Sequence, residues 1–332
     1  MIQRLLIIVA FICAISCQKD KKESVVAFTG SAFGTTYSIQ YFPGAFSKKV
    51  SKKAVDSIIE VINYSMSTYQ DNSYISKINK GDTVVVDAHF IQVLDASREV
   101  YRQTDGVFDP TIGNLVNAWD FGPESQIVAI DSAMVDSMLV SVGLDKIVLN
   151  DHKVYKSHQG TFLDFNALAK GYAVDVVADY FTDLNYQHFL VEIGGEIRSK
   201  GKNKTKDQPW KIGVEDPNFD GTRSYSKVIP LTDEAMATSG SYRKFKVDDK
   251  GNRFAHIIDA KTGHPLRSNL LSVSVITPTC MLADAYATAF MAMGLEKSKA
   301  FLSQHKEIKA FFVYAVSDEL ETLSLNGFPD SK

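Results

Sequence analysis

Residues 162–181 read FLDFNALAKGYAVDVVADYF. The first four, apolar around a single aspartate, predict an extended segment. From 167 to 181, Leu168, Tyr172, Val176 and Tyr180 recur every fourth residue, the spacing of an amphipathic helix, with Asp164 or Asn166 placed to cap it. Upstream, 146–149 and 154–157 flank Asn150-Asp151-His152 and predict a hairpin. Downstream, β-branched and aromatic runs crowd together at 189–193, 210–214, 227–231, 254–258 and 271–276. A helix that follows a hairpin and precedes a crowd of strands is not the regular alternation of a parallel sheet.

Working outward, 35–42 predicts a strand entered through residues 30–34, and Val55, Ile58, Ile59, Ile62 and Met66 keep helical spacing. A second helix is expected over 90–102. Thr277-Pro278 offers a cap and an N1 proline to a helix over 281–293, which Gly294 closes, and 311–316 predicts a final buried strand. The expected fold is α+β, with mixed sheets flanked by helices, in one body spanning 26–332 without a clear linker or internal repeat.

The composition allows such a body. The chain has 332 residues, 45% of them hydrophobic and 23% charged, which excludes disorder, collagen and a polytopic membrane protein. Lys+Arg 36 against Asp+Glu 39 gives a formal charge of -3, so no general attraction to nucleic acid is expected. No Walker-type or dinucleotide-fold glycine loop is present, nor a G-x-S-x-G elbow. The seven histidines lack the spacing of a zinc hydrolase.

The first sixteen residues differ from the rest. Arg4 precedes an apolar run from 5 to 16 that is shorter than the roughly 20 residues of a comfortable bilayer span, and reads as an export signal. It ends in Ala14-Ile15-Ser16-Cys17, which resembles the lipobox of bacterial lipoproteins, with Ala14 where leucine is usual. The expectation is cleavage before Cys17, lipid on that cysteine, and residues 17–25 as a flexible polar tether. Removal of Cys13 with the signal leaves Cys280 as the one free thiol.

Several stretches hold residues suited to chemistry. Asp284 and Thr288 stand four apart on an otherwise apolar helix, so they share a face and present two hard oxygen ligands. Either they form a magnesium site or they lie on an exposed stripe. His256, in FAHIID at 254–259, emerges from an expected strand beside a turn, as a proton acceptor or as a hydrogen-bonded core histidine. Gly194-Gly195 and Gly240, in ATSG at 237–240, permit close backbone approach to a ligand or make ordinary turns.

Eight stretches in order resemble the ApbE family, flavin transferases that move FMN from FAD onto a protein. They are Gly34-Thr35 with Tyr37, MSTYQDNS at 66–73, GVFDPTIGNLVNAWDFG at 106–122, DFNALAKGYAVD at 164–175, Gly194-Gly195, ATSGSYR at 237–243, HIIDAKTGHP at 256–265 and ADAYAT at 283–288. The resemblance implies a T-fold-related architecture. It also implies an FAD pocket touched by Phe33, Tyr69, Val107, Phe108, Asp109, Asp164, Lys170 and Ile257. Magnesium would be held by Asp284, Thr288 and the backbone carbonyl of Ala167, with His256 in the catalytic role. Phe33 replaces the family's usual methionine and Ala260 its usual proline, which bears on pocket shape.

The implied reaction is attack by an acceptor threonine or serine hydroxyl on the FMN-side phosphorus of FAD, with AMP leaving. Implied acceptors are exported or membrane-bound redox proteins with an FMN-binding domain, such as subunits of sodium-pumping quinone reductases or Rnf-type complexes. The expected setting is the periplasm, anchored to a bacterial membrane through Cys17. Two alternatives share the same pocket: an FAD pyrophosphatase that releases FMN and AMP, and a non-catalytic FAD-binding lipoprotein.

Overall fold

The computed structural model describes residues 24–124, 130–218, 222, 224–241, 245–247, 253–266, 268–317 and 319–331. The expected signal peptide, Cys17 and most of the tether lie outside the described residues, as does Arg243. Among the described residues, no helix is long and apolar enough to cross a membrane.

One eight-stranded sheet organises the chain. Its strands are β1 (Val26–Ala32), β2 (Thr35–Tyr41), β3 (Phe189–Ile193), β4 (Glu196–Lys200), β5 (Ala235–Gly240), β6 (Leu270–Thr277), β7 (Lys309–Val316) and β8 (Glu319–Leu325). They lie side by side in chain order and every neighbouring pair is antiparallel. All other structure is inserted at the connections. The longest insertion, between β2 and β3, carries α1 (Lys52–Met66), α2 (Tyr74–Lys80), α3 (Ala88–Gln103), α4 (Gly113–Ala118), α5 (Ser132–Leu139) and α6 (Ala169–Asp183). Helix α7 (Cys280–Gln304) joins β6 to β7.

The central strands are covered on both faces, and apolar residues are densest in β6 and β7, while the edge strands β1 and β8 keep exposed positions. Side chains alternate along a strand, so Ala235 and Ala237, Val273 and Val275, and Phe312 enter the main core under the helices. Their neighbours Met236, Ile276, Phe311 and Val313 enter a second core. That core is closed by a smaller antiparallel sheet in which Trp210, Ile212 and Val214 alternate along one strand and pair with Tyr225–Leu231. A third, smaller cluster gathers Leu115, Val135 and Ile258.

The helices follow from local signals in some places and not in others. Val55, Ile59, Ile62 and Met66 form the buried stripe of α1. Asp87 caps α3 by accepting the Phe90 N–H at 2.8 Å. For α6 neither Asp164 nor Asn166 is the cap: Leu168 holds that position, while Asp164 accepts the Asn166 N–H at 2.8 Å. For α7 the boundary residue is Thr279 rather than Thr277-Pro278. Its first amides instead meet a carboxylate from another helix, Asp175, which accepts from Cys280 N and Met281 N at 2.9 Å each. Gly294, at φ 74°, interrupts α7 where closure was expected, but helix resumes beyond it to Gln304.

Candidate active site

The register of the sheet gathers the expected residues at one end. Because Tyr37 pairs with Ile193, the β1–β2 turn at Phe33-Gly34 and the β3–β4 turn at Gly194-Gly195 stand side by side. The Gly194 N–H donates to the Thr36 carbonyl at 3.0 Å. All four turn residues have positive φ, at 50°, 73°, 64° and 106°, the form of a two-residue hairpin turn that matches strand twist. Strand β5 runs past the end of its pairing with β4, and Ser239 there reaches Thr288 of α7, with Oγ to Oγ1 at 3.0 Å.

Beneath these turns, α6 and α7 cross. Asp284 is buried, at 3% exposure, which excludes the exposed-stripe reading. Its Oδ2 accepts the Gly171 N–H at 3.1 Å and lies 3.7 Å from Lys170 Nζ. Lys170 donates to Glu196 Oε1 at 2.6 Å. Burial pushes the Asp284 carboxyl up to about 7, against the pull of Lys170 and with the help of Glu196. Burial opposes the charge on Lys170, but Asp284 and Glu196 outweigh it and raise that ammonium. Asp175 completes the brace: besides capping α7, it pairs with Arg198 Nη1 of β4 at 3.0 Å. One side chain thus ties together the three elements that carry Lys170, Glu196 and Asp284.

Other expected residues sit in separate contact groups. The Asp164 N–H donates to the Pro110 carbonyl at 2.7 Å, and Ile112 bridges Phe162 in parallel, so the segments carrying Asp109 and Asp164 lie together. Asp109 is buried and turned onto Thr111, accepting from its N–H at 2.8 Å and its hydroxyl at 2.6 Å. Phe108 is a core residue, and the Val107 N–H donates to the Thr104 carbonyl at 3.1 Å. Tyr69 is at the surface; desolvation, and then the charge of Asp164, raise its phenol.

His256 belongs to a loop rather than a strand. The strand expected over 254–258 is only Arg253–Ala255, and the chain then turns through a tight segment in which Asp259 N–H donates to the His264 carbonyl at 2.9 Å. Ile257 enters the main core and Ile258 the small third core. The His256 ring meets Phe121 edge-on, with centroids 6.4 Å apart. Trp119 Nε1 secures the same loop by donating to the Gly263 carbonyl at 2.8 Å.

The structure therefore brings Lys170 beside Asp284, places Thr288 one turn further along the same helix with Ser239 as its partner, puts Ala167 two residues before α6, and adds Glu196. Glu196 was not anticipated. Its signal was an acidic residue directly after Gly194-Gly195, at the start of a strand. Among the described residues, no group of three or more His, Cys, Asp or Glu is placed to hold a metal ion. Two donors share one face of α7, the Asp284 carboxylate and the Thr288 hydroxyl, and both are hard oxygens. Such a set fits magnesium, which keeps much of its shell as water and substrate oxygens, better than a protein-caged ion.

The chain is similar to known proteins over nearly its whole length. A family model described as the ApbE family matches residues 33–312. The FAD:protein FMN transferase of Haemophilus influenzae is 34% identical over 325 residues, covering 94% of this chain and 92% of that protein. The Vibrio cholerae protein of the same name is 35% identical, covering 94% and 93%. Among solved structures, the flavin transferase ApbE from Vibrio cholerae superposes with a TM-score of 0.81 at 31% identity, over 91% of this chain and 97% of that one. The apo flavinyl transferase ApbE of Pseudomonas stutzeri gives 0.82 at 29%, over 92% and 96%.

Proposed function

The chain belongs to the ApbE family, and from that premise we propose that it transfers FMN from FAD to a threonine or serine hydroxyl of an acceptor protein, with Mg2+ and release of AMP. The observation that carries the chemistry is the pairing of Asp284 and Thr288 on one helix face, with Lys170 of α6 3.7 Å from the carboxylate. Diphosphate transfer is opposed by charge, and oxygen ligands beside an ammonium suit a site that must gather anionic phosphate oxygens.

In this reading Asp284, Thr288 and the Ala167 carbonyl hold Mg2+, which supplies positive charge against the diphosphate. Lys170 adds a fixed cation from α6. The acceptor oxygen bonds to the FMN-side phosphorus as the bond from that phosphorus to the AMP-side oxygen breaks. An imidazole nitrogen of His256 takes the hydroxyl proton, a role worth about 10²- to 10⁴-fold in rate. The turns at Phe33-Gly34 and Gly194-Gly195 offer backbone that approaches the dinucleotide closely, Phe33 and Tyr69 line the flavin or adenine pocket, and Val107, Phe108, Asp109, Asp164 and Ile257 contact FAD.

The setting belongs to the same proposal. The folded domain is exported and tethered in the periplasm through lipid on Cys17, where it meets FMN-binding domains of membrane redox complexes. The test is incubation with FAD, Mg2+ and such a domain. The expected result is a mass gain equal to FMN on one hydroxyl residue, with AMP released only slowly when acceptor is omitted. Equally fast AMP release without acceptor points to hydrolysis instead, and stoichiometric FAD with no AMP points to a binding protein.

A further inference from the structure

Three charged side chains meet where α6, β4 and α7 converge, and their distances are unequal. Lys170 Nζ is 2.6 Å from Glu196 Oε1 but 3.7 Å from Asp284 Oδ2. Both carboxylates are similarly buried, with side-chain exposures of 6% and 5%. Burial alone therefore gives the ammonium no reason to prefer one over the other; the hydrogen bond to Glu196 decides it. The second oxygen, Glu196 Oε2, is buried with no hydrogen-bond partner among the described residues. It lies under the β3–β4 turn, where a Cβ on Gly194 would stand 3.4 Å from it and 2.8 Å from Thr35 Cγ2. A half-satisfied buried carboxylate costs stability, so its retention calls for a role other than holding the fold together.

We infer that Glu196 is a positioning residue for the divalent cation site: it holds the Lys170 ammonium away from Asp284 and so leaves that carboxylate open to the ion. This rests on the reading of Asp284 and Thr288 as ion ligands. Without Glu196, the ammonium has only about 1 Å to travel to form a direct hydrogen-bonded pair with Asp284. It would then occupy a lone pair the ion needs and repel the ion at close range, where low dielectric makes repulsion strong.

The experiment measures Mn2+ binding to the whole protein, without FAD or acceptor, by the paramagnetic resonance signal of free Mn2+. Glu196→Gln is compared with the unchanged protein, and again in a Lys170→Met background. In the protein that keeps Lys170, Glu196→Gln is expected to weaken Mn2+ binding on the order of tenfold or more. In the Lys170→Met background the same change should alter binding less than about threefold, because no ammonium remains to be held back. Equal weakening in both backgrounds would mean that Glu196 acts through its charge or packing alone, and overturns the inference, as does unchanged binding in the protein that keeps Lys170. Should Glu196→Gln not fold, Glu196→Asp, which keeps the charge but withdraws it by one methylene, is put through the same cycle under the same criteria. Asp284→Asn serves as the control: if it leaves Mn2+ binding intact, the ion-ligand reading fails first and takes this inference with it.

Discussion

The Gly171 N–H donates to Asp284 Oδ2 at 3.1 Å across the crossing of α6 and α7. The crossing is so close that a Cβ on Gly171 would lie 2.3 Å from the Cys280 carbonyl oxygen and 2.9 Å from Asp284 Cβ. Glycine inside a helix costs up to about 1 kcal/mol relative to alanine. Here it is what lets the two helices touch. Gly171→Ala is expected to destabilise the protein by about 1–3 kcal/mol through overpacking. It should also slow FMN transfer by more than roughly tenfold by moving Asp284, since small misplacements of catalytic groups are expensive. Denaturant midpoints and transfer rates report the two effects separately, and a variant matching the native protein in both would show that the crossing tolerates separation.

Chelation tests the ion. EDTA should stop transfer and added Mg2+ should restore it. Asp284→Asn keeps the shape of a side chain whose carboxyl is already pushed up to about 7 by burial. The variant is therefore expected to fold and to bind FAD while losing at least about 10²-fold in rate, with no response to Mg2+. Native rates in EDTA contradict the metal site.

His256→Ala removes the proposed proton acceptor but leaves Ile257 and Ile258 in their separate cores. FAD binding, followed by flavin fluorescence, should persist while transfer falls by about 10²- to 10⁴-fold. Undiminished transfer would assign the proton to another group.

Cys280, the first residue of α7, is buried, and burial, then the Asp175, Glu196 and Asp284 charges, raise its thiol well above the ordinary range. The thiolate is the reactive form, so iodoacetamide at pH 8 should leave Cys280 unmodified in the folded protein and label it in denaturant. The linkage has a definite sign. Below the unfolded thiol value of about 8.5 the folded state loses nothing, whereas at higher pH the unfolded chain ionises first and stability declines. Rapid labelling of the native protein would mean that α7 opens at its first turn.

Much of the architecture was legible because it follows local periodicity. The stripes of α1 and α3, the hairpin between Ile147–Asn150 and Lys153–Lys156 and the Asp284–Thr288 face all come from spacing that neighbouring residues set. Strand β5 did not show itself, since its Ala-Met-Ala-Thr-Ser-Gly sequence has the composition of a turn. It is a strand because Ala235 and Ala237 face the helices from the sheet centre, where α7 packs and small side chains suit a close approach. The α7 cap and the burial of Glu196 were equally illegible for one reason: their partners, Asp175 and Lys170, lie far away in the chain.

Ile257 and Ile258 are adjacent in the chain but rooted in two different hydrophobic bodies. The imidazole next to them stands between the end of the short strand Arg253–Ala255 and a segment rooted in both bodies. In the proposed reaction, the seating of the small lobe around Leu115 and Val135 against the main core would therefore bear on where that ring points.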